Sequence, residues 1–230
     1  MNTNTAQKLG KAPLKELFII MAIPSVLAQL INVLYNIVDR IYIGHIKEVG
    51  SLALTGVGVT FPIIMVVSAF SAFAGQGGAP LASIALGARD YKKAEKIMGN
   101  SMALLLVFSI VLTIFFQLFK TPLLYAFGAS DNVIFYAQEY ITLYLWGTVF
   151  VMLSLGLNTF ISGQGHAKIA MLSVLIGAVT NIILDPIFIF VLGMGVKGAA
   201  LATVISQAFS AVWVVYFLIS EKSVIKIKVE

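Results

Sequence analysis

TNIILDPIFIF, residues 180–190, is an apolar run with a carboxyl group, that of Asp185, in its middle. A charged side chain near the bilayer centre costs about 3 kcal/mol on insertion scales, so chains that keep one generally use it to handle ions or substrates. Pro186 has no amide hydrogen and opposes a regular helix, so the carbonyl of Ile182 should lose its usual partner. We therefore expect a broken membrane helix in which Asn181, Asp185 and a freed carbonyl form a cluster of hard oxygens, as in the cation sites of transporters.

The rest of the chain has the composition of an integral membrane protein. Of its 230 residues, 60% are hydrophobic and 11% are charged, which a soluble domain would not show. A bilayer-spanning helix needs about 20 mostly apolar residues, and continuous runs of that kind argue against a barrel of alternating strands. The sequence predicts an all-α membrane protein, one six-helix transmembrane lobe over residues 1–230, with a glycine-rich, interrupted end to the second span. The predicted spans are 16–38, 52–84, 97–119, 138–162, 168–192 and 198–219.

The distribution of lysine and arginine predicts the orientation. With the N-terminus inside, eleven basic residues fall on inner segments and four on outer ones, as the positive-inside rule requires. We expect a multi-pass membrane protein with both termini in the cytoplasm. Topology then accounts for the net charge of +5, and no nucleic-acid partner is expected. The inner residues are Lys8, Lys11, Lys15, Arg89, Lys92, Lys93, Lys96, Lys168, Lys222, Lys226 and Lys228; the outer ones are Arg40, Lys47, Lys120 and Lys197.

Neither thiol chemistry nor a metal site is expected. The chain has no cysteine, which excludes disulfides, thiol catalysis and cysteine-ligated metals. His45 and His166 fall in predicted connections with no second histidine at ligand spacing, so no metal site is predicted.

Polar residues of the first span form one helical stripe that ends in a carboxylate. Ser25, Gln29, Asn32, Asn36 and Asp39 follow at spacings of four, three, four and three. Such a stripe should face other helices or a water-filled cavity. We expect Ser25 and Gln29 to make hydrogen bonds between helices, whereas for Asp39 we favour a functional role.

Three later spans carry similar stripes. Tyr140 and Tyr144 can belong to the polar stripe of the fourth span or, equally well, act as aromatic anchors at the membrane interface. Glu139 lies at a span boundary and is expected to be solvated. The stripes are Ser173, Gly177, Asn181 and Asp185 in the fifth span; Tyr140, Tyr144, Ser154, Asn158 and Ser162 in the fourth; and Thr203, Gln207 and Ser210 in the sixth.

Two further segments have simpler explanations. The run of Gly75, Gln76, Gly77 and Gly78 lacks the lysine of a phosphate loop, and close helix packing explains it better. The segment GARDYKKA, residues 87–94, is predicted to be a cytoplasmic loop that carries orientation charge and can contact lipid headgroups.

Five stretches together resemble one family. They are YNIVDRIYIG at 35–44, ALGARDYKKA at 85–94, the GQG turn at 163–165, TNIILDPIFIF at 180–190 and GMGVKGAALATVISQ at 193–207. They are similar to the multidrug and toxic compound extrusion (MATE) family, and the likeness covers essentially the whole chain. The resemblance implies an antiporter, not an enzyme, that exports organic cations on a proton or sodium gradient. Family members have twelve spans in two six-helix lobes.

The resemblance also implies roles for individual residues. It assigns cation binding or protonation to Asp39, Asn181 and Asp185, with Asn158 and Thr203 nearby. A transient Na⁺ at Asp39 and Asp185 is implied, with H⁺ or Na⁺ as the coupling ion and no cofactor. Asn36, Tyr140 and Gln207 are expected to contribute to a substrate cavity.

The sequence leaves several alternatives open. With six spans the chain resembles an N-terminal lobe alone, so it would need a second copy or a separate second lobe, or be a fragment, which we favour. A flippase for lipid-linked oligosaccharides has the same architecture, but such a cargo favours a cationic cavity. A non-transporting membrane module is a further alternative. An intramembrane aspartyl protease is also disfavoured. That class has a glycine close before its second aspartate, whereas Leu184 precedes Asp185 here.

Overall fold

The described part of the protein, residues 13–227 of a computed structural model, is a bundle of helices without strands. This confirms the predicted all-α membrane fold. Lys8, Lys11 and Lys228, which entered the orientation prediction, lie outside the described residues. The helices are α1 (Leu14–Gly44), α2 (Gly50–Gly87), α3 (Tyr91–Ala126), α4 (Ile134–Trp146), α5 (Thr148–Gly163), α6 (Ala167–Pro186), a π-helical segment (Ile187–Val191) and α7 (Val196–Ile219).

The fourth predicted span is bent, which the sequence prediction missed. Among residues 13–227, five helical segments are long and apolar enough to cross a membrane, and α4 with α5 makes a sixth if the pair is counted as one span. These two helices meet at an angle of 59° around Gly147. A Cβ on Gly147 would collide with the side chain of Val204, so glycine permits α7 to approach the bend closely. The stripe predicted along 138–162 is therefore divided between two helices.

Two predicted breaks are absent. The glycine-rich end of the second span belongs to one unbroken helix, α2, with Pro80 inside it. The helix around Pro186 is not broken either, because α6 widens into the π-helical segment, where the amide of Leu192 donates to the carbonyl of Ile187 at 2.8 Å. Proline has no amide hydrogen to donate. A π-helical turn accommodates this missing hydrogen bond, so the helix continues without interruption.

The glycines of α2 allow close packing against α5. An added Cβ on Gly75 would lie 2.5 Å from the carbonyl oxygen of Gly156, and one on Gly156 would lie 2.7 Å from the side chain of Leu105 in α3. Nearby, the hydroxyl of Ser71 donates to the carbonyl of Met152 at 3.1 Å. Small residues at such interfaces let helix backbones approach in a membrane, as predicted for this glycine run.

The helices surround a core formed mainly by α2, α3 and α5, with α7 packed against α4, α5 and α6. Large side chains such as Leu105, Met152 and Phe160 are fully or almost fully buried there. The first helix, α1, is peripheral and packs chiefly along α6. Most of its surface therefore faces away from the rest of the described chain.

The segment after α7 folds back against the turn between α5 and α6. The buried side chain of Gln164 accepts hydrogen bonds from the hydroxyl of Ser223 (3.0 Å) and from the amides of Val224 (2.8 Å) and Ile225 (3.1 Å). Close by, His166 packs edge-on against Phe217, and burial lowers the pKa of this histidine. One glutamine thus fixes the path of the chain after its last helix.

Replacing Gly75 with alanine is expected to destabilise the protein by about 1–3 kcal/mol, because the new methyl group meets backbone rather than a movable side chain. Gly77 is the matched control, since nothing lies within 4 Å of a Cβ placed there. Gly77→Ala should be neutral or stabilising by up to about 1 kcal/mol. Thermal unfolding in detergent compares the two variants, and equal midpoints would contradict the close contact between α2 and α5.

Replacing Gln164 with leucine is expected to cost about 1–3 kcal/mol, because the amide of Ile225 loses its partner in a buried place. Amide hydrogen exchange should accelerate at residues 223–225 before the transmembrane helices are affected. Gln76→Leu, at an exposed glutamine of α2, serves as the control and should change stability by less than about 0.5 kcal/mol. Unchanged exchange in the Gln164 variant would show that the segment is held by other contacts.

Candidate functional site

Two carboxyl groups meet where α1 packs along α6. Asp39 of α1 is 8% exposed and Asp185, at the end of α6, is fully buried. The two carboxyl groups are near enough to interact electrostatically. One turn earlier on α6, the side-chain amide of Asn181 donates to Oδ1 of Asp185 at 3.2 Å. The structure therefore brings together three residues that the sequence analysis singled out on two different helices.

Three oxygen atoms of this cluster are buried and accept no hydrogen bond from the described residues. They are Oδ1 of Asp39, Oδ1 of Asn181 and Oδ2 of Asp185. A buried acceptor without a partner costs about 1–3 kcal/mol, so it indicates a site that something else completes. Carboxylate and amide oxygens suit a hard cation, and a proton can satisfy a carboxylate pair equally well.

The cluster contains too few acids for a metal site built of ionisable ligands. Within residues 13–227 no group of three or more histidine, cysteine, aspartate or glutamate side chains is placed to hold a metal ion. A monovalent cation would have to use amide, hydroxyl or backbone oxygens beside the two carboxylates.

Tyrosines surround the carboxyl pair. Tyr35 lies one turn before Asp39 on α1 and interacts electrostatically with both acids. Tyr140 of α4 interacts with Asp39 and lies within hydrogen-bonding reach of Thr203 in α7. The sequence analysis missed Tyr35, although its spacing of four residues from Asp39 places both on one helical face.

Tyr140 and Tyr144 are stacked inside the bundle. Their ring centroids are 6.2 Å apart, their planes differ by 15°, and each side chain is 5% exposed. Their burial rules out the alternative in which they anchor the chain at the membrane surface. The bend at Gly147 leaves both tyrosines on α4, so Tyr140 interacts with Asp39 independently of the polar residues of α5.

The positively charged side chain of Arg40 lies next to the carboxyl pair. Because α1 continues to Gly44, Arg40 is inside the helix rather than beyond its end, and it attracts Asp39 electrostatically. Its guanidinium lies 5.3 Å from the ring centroid of Phe61 on α2. The predicted span of 16–38 had placed this arginine in a connection.

Asn158 and Gln207 belong to a second polar layer. The hydroxyl of Ser173 donates to Oδ1 of Asn158 at 3.1 Å, and that of Ser154 donates to Oε1 of Gln207 at 2.6 Å. Ser173 precedes Asn181 by eight residues on α6, which separates them by about 12 Å along the helix axis. The structure therefore does not bring Asn158 to the carboxyl pair. Thr203, one turn before Gln207, interacts with Tyr140, which in turn interacts with Asp39.

The polar stripe on α1 is buried only at its Asp39 end. Asn36 is exposed and donates to the carbonyl (2.7 Å) and the side-chain oxygen (3.0 Å) of Asn32. Ser25 is also exposed and donates to the carbonyl of Met21 at 2.9 Å, within its own helix. The hydrogen bonds to other helices that we expected of Ser25 and Gln29 are not among those of the described chain.

Glu139 is paired instead of solvated, contrary to the expectation from its boundary position. Its carboxylate lies 3.0 Å from the ammonium of Lys197, with 16% of the glutamate side chain and 55% of the lysine side chain exposed. Lys197 lies in the first turn of α7, so the pair joins α4 to α7. An ion pair this open to its surroundings contributes at most about 1 kcal/mol.

These features define a multi-pass helical membrane protein with a polar centre, and relatives identify the family. The MatE family model matches residues 24–187. The chain belongs to this family.

Curated relatives are multidrug export proteins. The chain is 32% identical over 197 residues to the multidrug export protein MepA of Staphylococcus haemolyticus (strain JCSC1435), covering 85% of this chain and 43% of that protein. It is 24% identical over 220 residues to MepA of Staphylococcus aureus (strain MSSA476), covering 96% of this chain and 48% of that protein. The chain thus spans about half the length of these relatives.

Solved structures show the same relation. A MATE crystal structure in the bent conformation superposes with a TM-score of 0.89 at 31% identity, covering 98% of this chain and 50% of that one. The outward-facing conformation of a multidrug resistance MATE family transporter of the MOP superfamily gives a TM-score of 0.90 at 30% identity, with coverage of 99% and 50%. The described fold corresponds to one lobe of such a transporter.

Asp185→Asn is expected to stabilise the resting protein in sodium-free buffer by about 1–3 kcal/mol, since it removes a charge from a fully buried group with an unpartnered oxygen. Asp131→Asn is the control: that exposed carboxyl accepts from the hydroxyl of Tyr125, and asparagine can still accept there. Thermal denaturation of both variants measures the effect. Destabilisation by Asp185→Asn would indicate a structural rather than a ligand-binding carboxylate.

Proposed function

We propose that this chain is the cation-binding lobe of a multidrug exporter that couples the outward movement of organic cations to the inward movement of H⁺ or Na⁺. The observation that carries the proposal is the trio of unpartnered buried oxygens on Asp39, Asn181 and Asp185. The names of the curated relatives support the export of drugs. The apolar helices support a place in the bacterial cytoplasmic membrane.

The carboxyl pair supplies the coupling. Two neighbouring carboxylates repel each other when both are ionised, so binding a proton or Na⁺ relieves the repulsion. Asp39 and Asp185 lie on different helices, so a cation between them draws α1 toward the end of α6. Cation binding thereby favours a position of α1 close to the end of α6 over a position farther from it.

Exchange follows from linkage. If cation and drug bind preferentially to opposite conformations, each lowers the affinity for the other by the same factor. An inward ion gradient then drives drug outward.

We assign two side chains to the edge of the drug cavity. Asn36 is exposed on the same helix as Asp39, and Tyr140 interacts with Asp39.

A complete cavity needs a second lobe. The outer surface of α1 is largely uncovered, and the chain spans about half of its relatives, so either a second copy or a separate lobe would face that surface. Membrane lipids cover the remaining apolar surface. The acidic centre supports cationic cargo over the lipid-linked oligosaccharide of a flippase, although Arg40 lies at its edge.

The test is efflux of a fluorescent organic cation from cells that express the chain alone, or together with the second half of a MepA relative. We expect gradient-dependent efflux in at least one of these two arms. Asp39→Asn and Asp185→Asn should reduce it to the empty-vector level, because each removes one of the two exchangeable carboxylates. Replacing external sodium with choline, or adding a protonophore, identifies the coupling ion.

The matched control for this assay is Asp131→Asn, which removes an exposed acid outside the cluster and should transport normally. Membrane levels of every variant are compared by immunoblot. Wild-type flux in Asp185→Asn would refute the coupling role, and no flux in either arm with normal membrane insertion would refute transport by this chain.

A further inference from the structure

A cleft lies at the end of the bundle where α2 turns into α3, far along the chain from the carboxyl pair. Its volume is about 400 Å³, within the usual range for small-ligand pockets. Apolar side chains line most of it, namely Leu81, Ile84 and Ile97, while Asp90 and Lys93 lie at its polar side. Transport through the cation site makes no use of this cleft.

The depth of the cleft matches the boundary between headgroups and acyl chains. Leu81 lies six residues before the end of α2, and Ile97 lies six residues after the start of α3, so the cleft extends about 9 Å from the turn into the bundle. Both helices exceed the roughly 20 residues that span the hydrocarbon core. Leu81 and Ile84 are exposed, which opens the cleft toward the surrounding lipid.

The turn beside the cleft carries net positive charge. Residues 89–96 hold four basic side chains (Arg89, Lys92, Lys93 and Lys96) and two acidic ones (Asp90 and Glu95), so the segment has a net charge of +2. The positive-inside prediction places this turn in the cytoplasm, where clusters of basic residues attract anionic lipids.

The turn is held in a fixed shape. Arg89 has a φ of 61°, the left-handed conformation that non-glycine residues rarely adopt, and the amide of Asp90 donates to the carbonyl of Ala85 at 2.9 Å. The carboxylate of Asp90 caps α3 by accepting from the amide of Lys93 at 3.1 Å. Asp90 is thereby directed to the helix terminus, and the ammonium of Lys93 is the charged group that remains for a ligand.

We propose that this cleft binds one anionic phospholipid, with its phosphate at Lys93 and part of an acyl chain between Leu81, Ile84 and Ile97. Charge complementarity selects the headgroup, and the apolar lining selects a lipid over a free phosphate. Lys92 offers a matched comparison, since it carries the same charge one residue away but does not line the cleft.

The experiment is native mass spectrometry of the purified full chain, titrated with phosphatidylglycerol, phosphatidylethanolamine or glycerol phosphate. We expect one retained phosphatidylglycerol per chain. Lys93→Gln should weaken its binding about fivefold, the effect of one lysine at a membrane surface, and Lys92→Gln clearly less. Ala88→Leu, which fills the cleft from an exposed position, should also weaken binding while leaving every charge in place.

Four results would overturn the proposal. Equal losses in Lys92→Gln and Lys93→Gln would indicate diffuse electrostatic attraction instead of a site. Undiminished binding in Ala88→Leu, or equal binding of glycerol phosphate, would show that no acyl chain occupies the cleft. Equal retention of phosphatidylethanolamine would refute the selection for negative charge. None of these results bears on the efflux assay, so the two proposals fail or hold separately.

Discussion

The burial of two carboxyl groups side by side is the constraint on which the functional centre depends. Asp39 and Asp185 are withdrawn from water in a largely apolar bundle, and among the described residues the side-chain amide of Asn181 donates to Asp185. Such an arrangement is unfavourable by itself, since neither charge has a full set of partners. Its cost becomes intelligible if a cation or a proton completes the cluster during the working cycle.

The surrounding helices differ in where they pack: α2 and α5 lie in the core, whereas α1 lies at its edge. Close contacts between glycine and backbone, such as that of Gly75 with Gly156, join α2 to α5 and leave little freedom to slide. By contrast, α1 packs chiefly along α6, with Asp39 at the contact. A closely packed core beside one peripheral helix would suit the proposed conversion of ion binding into movement, because a movement of α1 need not disturb the packed interior.

Proline and glycine shape the site without contributing chemistry to it. Pro186 is followed by the π-helical segment, so the helix widens directly after Asp185. Gly147 bends the fourth span and lets α7 approach, which places Tyr140 of α4 beside Thr203 of α7. These two irregularities decide which polar groups surround the carboxyl pair and which form the separate layer around Asn158.

The sequence by itself determined the membrane class and the approximate positions of the helices, and it singled out Asp39, Asn181 and Asp185 as candidate site residues. These follow from local rules, namely the length of apolar runs, the cost of charge in a bilayer and the spacing of residues on one helix. The bend at Gly147, the continuity of the helix past Pro186, the pairing of Glu139 with Lys197 and the separation of Asn158 from the acids were decided by tertiary structure. Each of these depends on how closely two helices distant in sequence approach, and helical periodicity gives the face of a residue but not the neighbour that the face meets.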